Sequence, residues 1–204
     1  MKYRIDLHVH SKYSGDNDAE PEELIDQAIR LNLYGIAFTE HYSYEASAFV
    51  ELLREKYGDR IRLLRGVELS VIEGHCLVFG IDTDRLSLKD ASITEVVKAV
   101  NRSGGVVIPS HPYRKGNSLG DIVQQVWGFC ALEGYNGANM QAYNEKAIAT
   151  ARLLDLRYTG GSDAHAPKEV GLCVTEFDDA ITYDNFTEIL KRGHYQGIDC
   201  RRKK

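Results

Sequence analysis

His8 and His10 stand one residue apart at the end of the apolar run that opens the chain, Ile5-Asp6-Leu7-His8-Val9-His10. In an extended strand residues i and i+2 share a face, so the two imidazoles project side by side, as a chelate requires. Such a pair alone is equally compatible with a solvated strand face, and its company decides. Six of the seven histidines lie at or beside the end of a predicted strand: His8, His10, His41 in FTEH, His75 in GHCLVFG, His111 in SHPYR and His165 in SDAH. His75 precedes its strand, which places it on a hairpin after Glu68. Only His194 stands apart, and it reads as a surface residue.

Acidic groups fall at the same kind of place. Glu68 closes RGVE, Asp163 sits two residues before His165, and Asp16 lies in the loop after the first histidine pair. Imidazoles and carboxylates without thiolates are the donors of zinc, manganese or iron sites, and nine of them exceed the roughly three or four that one metal takes from protein. Two or three divalent ions are expected. Adjacent divalent ions can hold a bridging hydroxide between them and clamp the oxygens of a phosphoryl group during in-line displacement. Arg114, three residues past His111, is a candidate bidentate phosphate donor. Lys115, Ser11 and Tyr13 share that rim with weaker claims, and Asn136 and Asn139 either line the pocket or serve a turn.

These groups need a scaffold that gathers strand ends. Short apolar or β-branched runs alternate with helical periods: strands are predicted at Tyr3 to Val9, Gly35 to Thr39, Ile61 to Leu69, Cys76 to Gly80, Val106 to Ser110, Phe129 to Tyr135, Tyr158 to Gly160 and Leu172 to Thr175. Helices are predicted at Pro21 to Leu31, Ala46 to Tyr57, Ile93 to Asn101, Leu119 to Trp127, Asn144 to Leu154 and Tyr183 to Lys191. The alternation predicts an α/β fold with parallel pairing, and a closed barrel gathers its strand C-termini on one rim. No glycine-rich phosphate loop follows the first strand, which removes support for a nucleotide-binding open sheet.

Composition agrees with one globular domain over the 204 residues, ending in a short basic tail at about 200–204. The net charge of -5 gives no footprint for long nucleic acids. Cys76, Cys130, Cys173 and Cys200 form no C-x-x-C pair and read as reduced, mostly buried thiols. With neither a leader-type apolar region nor an apolar stretch of ~20 residues, no membrane association and a cytoplasmic location are expected.

Taken in order, DLHVHSKYSGD, FTEH, GVE, GHCLVFG, SHPYR and GGSDAHAPKEVG resemble the polymerase and histidinol phosphatase (PHP) superfamily of metal-dependent phosphoesterases, over roughly residues 4 to 176. The resemblance implies a distorted seven-stranded (β/α)7 barrel with a trinuclear metal centre on its C-terminal rim. It implies a first site of His8, His10, Glu68 and Asp163, with Glu68 bridging to a second completed by His75 and His111, and a third of Asp16, His41 and His165. Two positions depart from the pattern. Glu40 stands in Thr39-Glu40-His41 where the family has T-D-H, and the first loop offers both Asp16 and Asp18, of which Asp16 is preferred.

A small phosphorylated substrate is expected, and histidinol phosphate, nucleotides and short oligonucleotide ends all fit such a rim. An amidohydrolase-type C–N hydrolase also begins with H-x-H, but it often carries a modified lysine at a strand end, and no predicted strand here ends in one. A catalytically silent, metal-bound regulatory module is the other alternative, against which stand nine filled ligand positions.

Overall fold

Strand β1 (Tyr3–Val9) carries the first histidine into the middle of a seven-stranded sheet ordered β5-β4-β3-β2-β1-β8-β9. The remaining strands are β2 (Gly35–Phe38), β3 (Arg62–Val71), β4 (Gly74–Phe79), β5 (Val106–Pro109), β8 (Cys173–Phe177) and β9 (Tyr195–Asp199). A separate parallel pair, β6 (Ala131–Asn136) and β7 (Arg157–Gly161), closes the curl between β5 and β1. Cys130 N–H donates to Val107 O at 3.0 Å on one side, and His10 N–H donates to Ala164 O at 2.9 Å on the other. The result is the distorted barrel, described by a computed structural model over residues 2–88 and 90–201.

Parallel pairing holds for β1-β2-β3 and β6-β7, where helices α1 (Pro21–Arg30), α2 (Phe49–Tyr57) and α4 (Gln141–Leu153) make the crossovers. It fails elsewhere: β3-β4, β4-β5, β1-β8 and β8-β9 are antiparallel. Only Ile72 and Glu73 separate β3 from β4, and a link that short permits a hairpin but no crossover. His75 accordingly lies inside β4, opposite Ser70, rather than ahead of the strand.

Strand faces explain how an apolar plug gives way to a polar rim. On β3, β4 and β6 the alternation places Leu64, Leu77 and Ala131 in one buried interior cluster, with Glu68, His75 and Glu133 further along the same faces. On β1 the alternation is interrupted. Ile5 and Leu7 belong to the interior cluster, but Val9 packs in the outer layer against Leu24, Ile25 and Ala28 of α1. A register shift between Asp6 and Val9 inserts one residue, and this bulge turns His8 inward where strict alternation would have turned Val9.

Among the helices, α3 (Ile93–Arg102) starts on a capping box of Ser92 and Glu95, as its sequence favours. The expected helix at Leu119 to Trp127 is instead a 3-10 turn over Gly120–Gln124, because Gly120 adopts φ +57° at its start. The helix expected from Ala46 begins at Phe49 behind a 3-10 turn, and α5 (Phe186–Arg192) starts three residues later than Tyr183. β7 lies almost backbone to backbone on its neighbours: a Cβ at Gly160 would stand 2.4 Å from Val174 O. Arg201, expected in a loose tail, is tied by Asp199 and the carbonyls of Gly137 and Asn139, while the rest of the tail, residues 202–204, lies outside the described residues.

Candidate metal centre

Glu68, fully buried on β3, is the hub of the polar rim. Its Oε1 lies 3.4 Å from His8 Nε2, 3.5 Å from His75 Nδ1 and 3.0 Å from His111 Nε2. Its Oε2 lies 3.6 Å from His10 Nε2 and 3.2 Å from His41 Nδ1. Asp163 Oδ1 faces the first pair from the opposite side, 3.5 Å from His8 Nε2 and 3.4 Å from His10 Nε2. At the solvent edge Asp16 Oδ2 sits 3.1 Å from both His41 Nε2 and His165 Nε2, and Asp18 makes no such contact. All nine side chains expected from the sequence are thus gathered on one rim.

Three triads bring their donor atoms close enough to share an ion: His8, His10 and Glu68; Glu68, His75 and His111; and His10, His41 and His165. The chemistry of these donors fits divalent metal. His8 Nε2, His10 Nε2, His75 Nδ1 and His111 Nδ1 are buried without a hydrogen-bond partner, and a buried polar atom left so is costly unless something else satisfies it. Backbone strain points to the same place, since His111 and Asp163 hold φ of +33° and +54°.

Supporting residues set which nitrogen faces the centre. Glu133, one of the buried groups that sequence reading missed, accepts from His8 Nδ1–H at 2.8 Å and from the His111 backbone N–H at 2.7 Å. Its signal was a lone acid in the apolar strand CALEGY. Glu40 accepts from the Ser11 hydroxyl at 2.6 Å and from the Ser14 hydroxyl, which in turn accepts from His10 Nδ1–H at 3.0 Å. The extra methylene relative to aspartate therefore carries this carboxylate to two serines behind the centre. Ser110 donates its hydroxyl to Glu68 Oε1 at 2.7 Å. Asp6, also missed, is buried and accepts backbone N–H bonds from His8, Ser162 and Gly171, fastening β1 to the segment that carries Asp163. Burial, only partly offset by those bonds, raises its pKa to about 6.

Burial disfavours charge on both histidines of the pair, with opposite net results. It holds His10 down to about 4, so this ring is neutral at pH 7 with Nε2 free to ligate. Burial also works against charge on His8, but Glu133, Asp163 and Glu68 outweigh it and raise His8 well above the ordinary range. Glu68 and Asp163 are pushed up by burial and pulled well below the carboxylate range by the facing histidines, His8 foremost.

Arg114 reaches the same rim and donates from Nη1 to Asp163 Oδ2 at 2.6 Å. Its other guanidinium nitrogens donate to no group among the described residues, and its side chain is 29% exposed. Asn136 is buried beside the centre, donating to Glu133 and Asp163, whereas Asn139 donates to Asn144 and belongs to the turn before α4. Ser11 supports Glu40, Tyr13 stacks on Phe49, and Lys115 is exposed. His194 is exposed, with Asp179 4.0 Å away.

The family model described as PHP domain matches residues 6–203. A "Probable histidinol-phosphatase" of Thermotoga maritima is 35% identical over 74 residues, which are 32% of this chain and 30% of that protein. Two solved structures share the fold. A "putative metal-dependent phosphoesterase" from Bifidobacterium adolescentis superposes with TM-score 0.68 at 23% identity, over 93% of this chain and 96% of that one. An amidohydrolase from Chromobacterium violaceum, solved with bound sulfate and no metal, superposes with TM-score 0.67 at 22% identity, over 96% and 97%.

Proposed function

The chain belongs to the PHP domain family, and we propose that it is a metal-dependent hydrolase whose reaction is hydrolysis of a small phosphomonoester or nucleotide-type phosphodiester. The observation that carries this reading is Glu68, whose two oxygens each face histidines of different triads. A buried carboxylate so placed would bridge two ions, and C–N hydrolases of this kind often use a modified lysine. Among the described residues no lysine pairs with any group of the centre.

In this reading His8, His10, Glu68 and Asp163 hold one ion, Glu68, His75 and His111 a second, and Asp16, His41 and His165 a third. Zinc, manganese or iron suits such donors. When bound, divalent ions supply an acidified water and neutralise the non-bridging phosphoryl oxygens. The chain's own part is to orient these ligands through Glu133 and through the Glu40–Ser14 pair, and to offer the free guanidinium edge of Arg114 to a phosphoryl group. A long nucleic acid is disfavoured by the net charge of -5, and a short oligonucleotide end is compatible with it.

The test is a hydrolysis screen after reconstitution with each metal, comparing phosphomonoesters, phosphodiesters and amides. Turnover of phosphoesters that Glu68→Gln abolishes is expected. Turnover of amides alone would transfer the site to C–N hydrolysis, and metal binding with no turnover of any class would make the chain a silent regulatory module.

A further inference from the structure

Beside the metal centre lies a cavity of about 400 Å³ that none of the candidate ligands lines. It shares a wall with the centre. Ser70 lines it while its Oγ contacts His75 Nε2 at 3.2 Å, and Tyr42, which also lines it, directly follows His41, the two ring centroids 5.5 Å apart. Leu69, Leu86 and Leu88 supply apolar wall, as in sites that hold organic ligands.

Two features of this cavity bear on what it would hold. Thr83 is 3% exposed and lines it, yet its Oγ1 has no hydrogen-bond partner. Tyr42 is 72% exposed and held at φ +67°, a conformation that costs a bulky residue roughly 1–3 kcal/mol. The strained turn is pinned rather than loose. Asp84, from the loop that also carries Thr83, accepts from Ser43 Oγ and from the backbone N–H groups of Tyr44 and Glu45 at 2.8–2.9 Å. An exposed aromatic ring is therefore presented on a fixed backbone over an apolar floor with one unsatisfied hydroxyl. Asp84 and Asp90 at the lining make the cavity unfavourable for a second anionic group.

We propose that this cavity receives the alcohol portion of the phosphoester, and that it selects a flat, uncharged ring system bearing a hydrogen-bonding heteroatom, stacked on Tyr42 and bonded to Thr83 Oγ1. This rests on the phosphoester reading for the place of the phosphoryl group, but the cavity itself is independent of it. Tyr42 and Thr83 are then specificity determinants, while the metal centre remains indifferent to the alcohol.

Two measurements separate the cavity from the reaction. Umbelliferone, a flat neutral phenol with a lactone carbonyl, is titrated by fluorescence anisotropy against metal-free protein. Saturable binding is expected, weakened about tenfold in Tyr42→Ala and in Thr83→Val, the loss of one ring contact or one hydrogen bond. Absence of saturable binding, or equal binding by the three proteins, would overturn the assignment whatever the enzyme turns over. With manganese-loaded protein, the ratio of kcat/KM for umbelliferyl phosphate to that for glycerol phosphate is expected to fall about tenfold in either variant, and an unchanged ratio would overturn it equally. If wild type hydrolyses neither ester, the phosphoester reading fails, and the umbelliferone titration alone decides the cavity.

Discussion

Replacing Glu133 by glutamine changes one atom of a buried side chain and leaves its volume intact. In the wild-type chain both carboxylate oxygens accept: Oε1 from His8 Nδ1–H at 2.8 Å, Oε2 from the His111 N–H at 2.7 Å and from Asn136 Nδ2 at 3.0 Å. An amide keeps one acceptor. The side facing His111 and Asn136 must keep the oxygen, because both partners there can only donate. The amide NH₂ then meets His8 Nδ1, and His8 must carry its proton on Nε2, the atom aimed at Glu68 and Asp163. A ligand lone pair is lost from the centre without any ligand being replaced. Loss of such an orienting partner typically costs 10- to 100-fold in metal affinity, or about 1.4–2.7 kcal/mol. The assay is competition of wild type and Glu133→Gln against a chromophoric chelator for zinc or manganese, with circular dichroism to confirm an unchanged fold. A folded variant with wild-type affinity and stoichiometry would refute the tautomer reasoning and reduce Glu133 to a packing residue.

Three further outcomes are expected from the same structure. Arg114→Lys keeps the charge but loses the planar fork, so kcat/KM on an accepted phosphoester is expected to drop roughly tenfold or more, and wild-type kinetics in both the lysine and alanine variants would remove Arg114 from the site. Arg201→Ala should lower stability by about 1–2 kcal/mol at pH 7, since it frees the carbonyls of Gly137 and Asn139 as well as Asp199. Burial raises Asp199 but its bonds to Arg201 prevail and depress it, so the Asp199 share of this difference is present above the unfolded carboxylate value of about 3.9 and lost as pH falls through the lower folded value; equal denaturation midpoints of the two proteins at pH 7 would contradict it. Gly160→Ala brings a Cβ to 2.4 Å from a backbone carbonyl that cannot swing aside, and about 2–3 kcal/mol should be lost in urea denaturation; an unmoved midpoint would show that β7 and β8 can separate freely.

Much of the scaffold was legible because its signals are local. Pro21 with its two following glutamates announces α1, and the run Tyr3–Val9 is a strand from end to end. The candidate ligands were legible for a related reason: histidines and acids at strand ends have few other uses in such numbers. What escaped depends on relations between distant segments. The bulge in β1 is defined only against β2, and Glu133 differs from any other buried acid only through His8 and His111 across the barrel. β9 was missed although Tyr195 and Gly197 alternate with exposed Gln196, because five residues so close to a basic end give little pattern to read. The amphipathic spacing of Leu119, Ile122, Val123 and Val126 favoured a helix, and the left-handed Gly120 overrode it.

The place of β1 in the sheet bears on how the protein is made. β1 pairs with β2 on one side, but its other side pairs with β8, with Tyr3 opposite Phe177. A ribosome will have released almost the whole barrel before that second edge can be covered. Until then the strand carrying His8 offers open backbone groups to any passing chain, the hazard that unpaired edges bring to slowly formed, non-local sheets. Asp163 and His165 arrive just before β8, so the last candidate ligands reach the rim at the moment the edge is sealed. Completion of the candidate ligand set and of the sheet then coincide in synthesis, and a chain cut short before β8 would have histidines but no finished barrel to hold them.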